Sequence, residues 1–133
     1  METQTINAEY IYLCETDIQK VGEGIASYIQ LCSKWKFESL DTIFLEIVEN
    51  LSNFIKASSI LKNYLKNTED FNKDSPFILL QFQLLTLLNR LSQAKQRSDL
   101  TLIMDILEYE LFENLIRWKQ DILNPIKNLK WQF

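Results

Sequence analysis

The chain has 133 residues, 47% hydrophobic and 24% charged, with a formal net charge of −4. That length buries a core of useful size and that composition excludes disorder, so one domain spanning residues 1–133 is expected. The acidic balance disfavours a broad nucleic-acid surface, which needs concentrated basic groups.

Only two glycines and two prolines are present. An all-β fold needs many turn residues, so their scarcity favours a few long helices. Ile11, Cys14, Ile18, Val21, Ile25, Tyr28, Cys32 and Trp35 step by three and four without a break. This is the seam of one long helix, expected over residues 8–35 with Asn7 as its N-cap. Gly22 and Gly24 interrupt it at a cost of about 1 kcal/mol each relative to alanine. Gly22 lies beside the seam, where close approach of a neighbouring helix, or a kink, would explain it.

Lys34–Glu38 reads as a short turn, and Ser39 as the cap of a second helix over residues 39–67. Its seam is Leu40, Phe44, Ile47, Leu51, Phe54, Ser58, Leu61 and Leu65, with Glu46, Glu49, Asn50, Asn53 and Lys56 opposite. After the loop of residues 67–75, Ser75-Pro76 signals a third helix over 76–96, with serine as cap and proline at the first helical position. Arg97-Ser98-Asp99 makes a tight turn, Ser98 or Asp99 capping a fourth helix over 99–123. Asn124-Pro125 is expected to stop that helix, because proline removes a donor and clashes with the preceding turn. The tail to Phe133 is expected to form a turn or two and fold back over the bundle end. Four helices with short connections predict an all-α, up-down-up-down four-helix bundle with a short C-terminal extension.

The same residues argue against enzymatic chemistry. The absence of histidine removes histidine-dependent triads, the usual zinc and haem ligation, and the Glu-x-x-His pairs of di-iron bundles. With glycines only at 22 and 24 there is no phosphate-cradling loop. Cys14 and Cys32 lie 18 residues apart on one helix, roughly 27 Å, far beyond disulfide reach. They read as reduced, buried core thiols, and the compartment as cytoplasmic. No secretory signal or apolar span is evident at the N-terminus or elsewhere. Asp105, Glu108, Glu110 and Glu113 read as a solvated acidic face, with Glu113 pairing to Arg117 four residues on. No catalytic residue, metal site or cofactor is expected.

Binding surfaces are the better candidates. In FILLQFQLLTLLNRL apolar residues cover more than half of the helical wheel, leaving a narrow polar strip of Gln83, Thr86, Arg90, Gln93 and Arg97. Gln81 falls inside the apolar arc beside Phe82 and Leu85. The fourth helix has the seam Leu100, Met104, Leu107, Leu111, Leu115, Trp118 and Ile122, and a second strip of Tyr109, Phe112 and Ile116. In the tail, Trp131 and Phe133 are apolar beside Lys127 and Lys130. Wide apolar faces are expected of helices with two neighbours, but exposed aromatics rimmed by charge also suit a protein partner.

The segment SDLTLIMDILEYELFENLIRWKQDI contains Asp105, two apolar residues, then Leu107-Glu108-Tyr109-Glu110-Leu111, and Trp118 two turns later. It resembles the last helix of a group of small, functionally unassigned bacterial helical proteins. The resemblance covers about a fifth of the chain and implies no activity. Size, acidity and helix layout are also similar to flagellar and secretion export chaperones, an architectural likeness that does not license function. The expected function is a non-enzymatic interaction module, export-chaperone-like in its most concrete form. It would bind a protein partner through Gln81, Phe82, Leu85, Tyr109, Phe112, Ile116, Trp131 and Phe133. The alternatives are a homodimeric structural or regulatory bundle, and a small-ligand binder with an inter-helix pocket.

Overall fold

A computed structural model describes the backbone of residues 2–65 and 76–130 and the side chains of residues 8–63 and 76–127. Helix α1 spans Glu2–Ser33, α2 Leu40–Leu65 and α3 Phe77–Gln96. Helix α4 occupies residues 100–130 and alternates between two winding patterns. It is α-helical over Leu100–Asp105, π-helical over Ile106–Leu111, α-helical over Phe112–Arg117, π-helical over Trp118–Leu123 and α-helical over Asn124–Lys130. Backbone angles stay right-handed across the junctions at Ile106, Phe112, Trp118 and Asn124.

Cross-helix contacts fix the arrangement. Gly24 of α1 lies against Ile47 of α2. Asp41 pairs with Lys95, and Ser59 accepts from Gln81 at 3.1 Å, which sets α2 antiparallel to α3. Arg90 pairs with Glu110 at 2.6 Å, and Asn114 donates to the Leu80 carbonyl at 3.3 Å, joining α3 to α4. Lys127 reaches Glu15 at 2.9 Å and closes the ring back to α1. The fold is the all-α, up-down-up-down four-helix bundle.

Among the described side chains the predicted seams of α1 and α2 face inward as far as Cys32 and Leu61, and the side chain of Leu65 lies outside them. Ile11 through Cys32 on α1 and Leu40 through Leu61 on α2 are buried, Ser58 included, its hydroxyl donating to the Ile55 carbonyl. Leu80, Leu84, Leu87 and Leu91 line the core from α3. Trp118 sits at the centre, edge-on to Phe54 at 5.0 Å and to Phe77 at 4.9 Å between ring centroids. Each such large apolar side chain contributes about 1.5–3 kcal/mol by leaving water.

Both cysteines are free and buried. Burial, with Asp17 and Glu15 nearby, pushes the Cys14 thiol up to about 12, and burial raises Cys32 as well. These thiols hold their protons and make poor nucleophiles.

Four expectations are corrected. Helix α1 starts at Glu2, so Asn7 lies within it and is not its cap; nothing in ETQTI breaks a helix. Trp35 leaves the seam: it is 81% exposed at φ 58°, in the left-handed region. The Lys36 N–H returns to the Leu31 carbonyl and the Trp35 N–H to the Cys32 carbonyl, a Schellman ending with Trp35 where glycine is usual. The close approach belongs to Gly24, where an added Cβ would sit 2.7 Å from Ile47 Cγ1, whereas one on Gly22 would meet nothing within 4 Å. Finally, α4 does not stop at Pro125 and the tail does not fold back within the described residues. The wider π turn ahead of Pro125, with the Asn124 N–H bonding the Lys119 carbonyl, loosens the coil where the proline ring would otherwise clash.

The other boundaries fall within a residue or two of expectation. The Ser39 carbonyl accepts from Ile43 at the start of α2. Of the two alternatives for α4, Asp99 is the cap, its carboxylate accepting from the Leu102 N–H at 3.1 Å. Ser98 takes the left-handed position just before it, at φ 53°. The proposed Ser75 cap lies outside the described residues.

Candidate functional site: the groove between α3 and α4

Seen from its outer surface, α3 divides into three strips. Leu80, Leu84, Leu87 and Leu91 face the core. Gln81 faces α2, its amide bonded to Ser59. Gln83, Thr86 and Arg90 face α4, and there they form one wall of a groove of about 360 Å³. Glu110, Glu113, Asn114 and Arg117 form the other wall, with Phe82 on the rim.

The π turns decide which α4 residues arrive there. Each accommodates one extra residue, so the inward register slips by one and neighbouring pairs become buried together. Ile106 with Leu107, Asn114 with Leu115, and Ile122 with Leu123 are such pairs. The slip explains why Leu100 and Met104 are only half-buried while Ile103 and Ile106 lie inside. It also turns the Asn114 amide inward.

Asn114 is 4% exposed. Its Nδ2 donates to the Leu80 carbonyl, and its Oδ1 has no hydrogen-bond partner among the described residues. The amide orientation follows from the neighbour: a carbonyl must be met by the NH₂ end, which leaves the oxygen unmatched. A buried acceptor without a donor costs about 1–3 kcal/mol. Sequence reading missed this residue, although the signal was present: Asn114 lies three after Leu111 and four before Trp118, a seam spacing that Leu115 equally satisfies.

The groove carries two guanidiniums and two carboxylates. Arg90 is engaged by Glu110 at 2.6 Å. Arg117 turns to Asp121 at 3.7 Å and not to Glu113, contrary to the expected pair. The spacing four residues forward and four residues back is equally within reach on a helix. The Glu113 carboxylate therefore stands beside the groove without an ion pair among the described residues.

The expected partner-binding residues do not share one site, and Leu85 and Tyr109 line neither groove. Phe82 is 68% exposed, Leu85 49%, Tyr109 64% and Phe112 47%. Phe82 borders the α3/α4 groove. Phe112 and the half-buried Ile116 border a second groove of about 430 Å³ between α4 and α1, which Tyr12, Gly22 and Lys119 also line. The bare Gly22 faces this opening. Gln81 is bonded into the α2/α3 interface and does not join either groove. Trp131 and Phe133 lie outside the described residues. Asp105 and Glu108 are exposed and line neither groove, so they do not converge with Gln81.

These features define a helical bundle with solvent-open grooves on both sides of its last helix. Residues 11–121 match the family described as Domain of unknown function (DUF8042), and the chain belongs to that family. Searches of curated proteins and of solved structures returned no match. No described helix is long and apolar enough to cross a membrane.

Proposed function

We propose that this chain is a non-enzymatic, cytoplasmic protein-interaction module, export-chaperone-like in that it covers an apolar segment of another protein. The partner docks over the outer faces of α3 and α4. One observation carries the reading: Phe82, Leu85, Tyr109 and Phe112 all remain substantially exposed although the core has been filled without them. Large aromatics beside a groove supply most of the energy at protein interfaces.

The test compares immobilised wild type with the Phe82→Ser/Tyr109→Ser double variant against lysate of the source cell, with captured proteins quantified by mass spectrometry. The expected result is a defined partner held by wild type and lost by the variant at unchanged melting temperature. Capture of the same proteins by both would overturn the proposal.

A second reading rests on Ile78, Phe82 and Leu85, which follow one another at steps of four and three on the outer face of α3, all exposed. Two copies of the chain could pair along that seam. Sedimentation at micromolar concentration separates the readings, since a clean monomer removes self-association.

A further inference from the structure

We infer that the α3/α4 groove is a socket for a basic side chain, an arginine or a lysine, carried by an amphipathic segment of the partner protein. The inference rests on the interaction reading above and names the chemistry of what is bound.

The wall groups set the sign of the ligand. Both guanidiniums already face carboxylates, Arg90 on Glu110 and Arg117 towards Asp121. Among the charged groups of the walls, that leaves the Glu113 carboxylate without an ion pair among the described residues. Asn114 Oδ1 has no donor among them. Thr86 gives its hydroxyl proton to the Phe82 carbonyl at 3.0 Å, which leaves its oxygen lone pairs available. An ammonium or guanidinium carries only donors, three or five of them, and so matches this set. Phe82 on the rim adds an exposed ring face, which attracts a cation. An anion would meet the carboxylates of Glu110 and Glu113 in the same walls.

The surrounding surface repeats the pattern. Asp105, Glu108, Glu110 and Glu113 are all exposed on α4, interleaved with Tyr109 and Phe112. Alternating carboxylates and aromatics complement a segment that alternates basic and apolar residues. The π turn Ile106–Leu111 places Glu110 across from Arg90 and shifts Asn114 into the groove wall. Asn114 Oδ1 is shielded from water as the groove stands. Gln83, Arg90 and Arg117 around it are long side chains, and rotation about their single bonds gives a donor access within nanoseconds.

The experiment uses the full chain and a short fluorescein-labelled leucine–arginine amphipathic peptide, with a leucine–glutamate analogue as control, read by fluorescence anisotropy. The leucine–arginine peptide is expected to bind and its acidic analogue to stay free. Glu113→Gln and Asn114→Leu are each expected to weaken binding by about fivefold or more, the loss of one charge-assisted hydrogen bond. Glu46→Gln on α2 makes the same change in net charge outside the groove and should leave the affinity unchanged. The Asn114 side-chain amide resonances of the ¹⁵N-labelled wild type should move on peptide addition. Absence of binding, equal weakening by Glu113→Gln and Glu46→Gln, or unmoved Asn114 resonances would each overturn the socket. If Phe82→Ser weakens the peptide while Glu113→Gln and Asn114→Leu do not, the apolar docking surface stands and the socket alone fails.

Discussion

Asn114→Leu should make this protein more stable, and the size of the gain can be worked out from the groove. The substitution removes an acceptor that is buried without a donor, a relief of about 1–3 kcal/mol. It forfeits the Nδ2 bond to Leu80, which at 3.3 Å is long and worth about 0.5 kcal/mol. The Leu80 carbonyl keeps its place in the α3 hydrogen-bond ladder, so no new orphan is created. Leucine is somewhat larger than asparagine, and crowding against α3 takes back up to about 1 kcal/mol. The terms net to a gain of about 1 kcal/mol at the middle of their ranges. For 133 residues at about 2.1 cal/mol/K each, the unfolding entropy is about 0.3 kcal/mol/K, so the midpoint rises by about 4 °C. Thermal melts followed by far-ultraviolet circular dichroism read the shift directly. A lowered midpoint would refute the reasoning, because it would mean that Oδ1 is already satisfied in the folded protein. The same variant is expected to lose affinity for the basic peptide, so stability and binding should move in opposite directions.

Gly22→Ala and Gly24→Ala should have opposite signs in urea titrations. The first gains about 0.5–1 kcal/mol of helix propensity in open space, and the second loses about 1–3 kcal/mol by pressing on the buried Ile47. Ser98→Gly should raise the midpoint by relieving a left-handed residue that costs about 1 kcal/mol, provided the Asp99 cap is kept; an unchanged or lower midpoint counts against the strain. Burial raises the Asp17 carboxyl above its ordinary value, with Lys20 opposing, so the unfolded chain ionises first. The resulting stability is present below about pH 4 and is lost as pH rises through the folded value, and Asp17→Asn should flatten that slope. At the alkaline end, Cys14 and Tyr28, both pushed up to about 12, make stability fall between about pH 9 and 12. Cys14 should accordingly resist iodoacetamide until the protein unfolds; labelling of the folded chain would contradict its burial.

The helix layout was legible because three of the helices keep one periodicity from end to end. On α1 and α2 the spacing of apolar residues predicts the buried set almost residue by residue, and it fails only where backbone geometry intervenes. Trp35 has the right spacing but falls just past the helix end at Ser33, and is itself the left-handed residue through which the chain reverses. Helix α4 was less legible. A π turn has no local composition signal, so the slip that buries Ile106 beside Leu107 and Asn114 beside Leu115 does not appear in a 3.6-residue wheel. Pro125 carries the same lesson: its effect depends on the winding of the turn before it. The aromatic candidates Phe82, Tyr109 and Phe112 were found from residue type and spacing. The α3/α4 groove that Phe82 borders was not, because it depends on which α4 residue the slip delivers opposite Arg90.

The irregular features are unevenly distributed. Between α1 and α2 the packing is close, helped by Gly24, and among the described residues these helices bury two polar side chains, Asp17 and Ser58. The other half holds, among the described residues, both buried side-chain polar atoms without partners, Asn114 Oδ1 and Trp118 Nε1, each beside or within a π-helical junction of α4. Exposed hydrophobics do not separate the halves: Tyr12, Trp35 and Leu45 stand in water on the first as Phe82, Leu85, Tyr109 and Phe112 do on the second. A bundle under selection for stability alone would trade Asn114 for leucine and wind α4 as a plain α-helix, changes within easy mutational reach. Unsatisfied buried groups and π turns concentrate where structure serves binding more than folding. On that reasoning we propose that the outer faces of α3 and α4 are the binding surface. Variants that alter binding at constant stability should therefore cluster at exposed positions between residues 82 and 117, whereas destabilising variants should fall in both halves, on core residues such as Phe54, Leu61, Leu84 and Trp118.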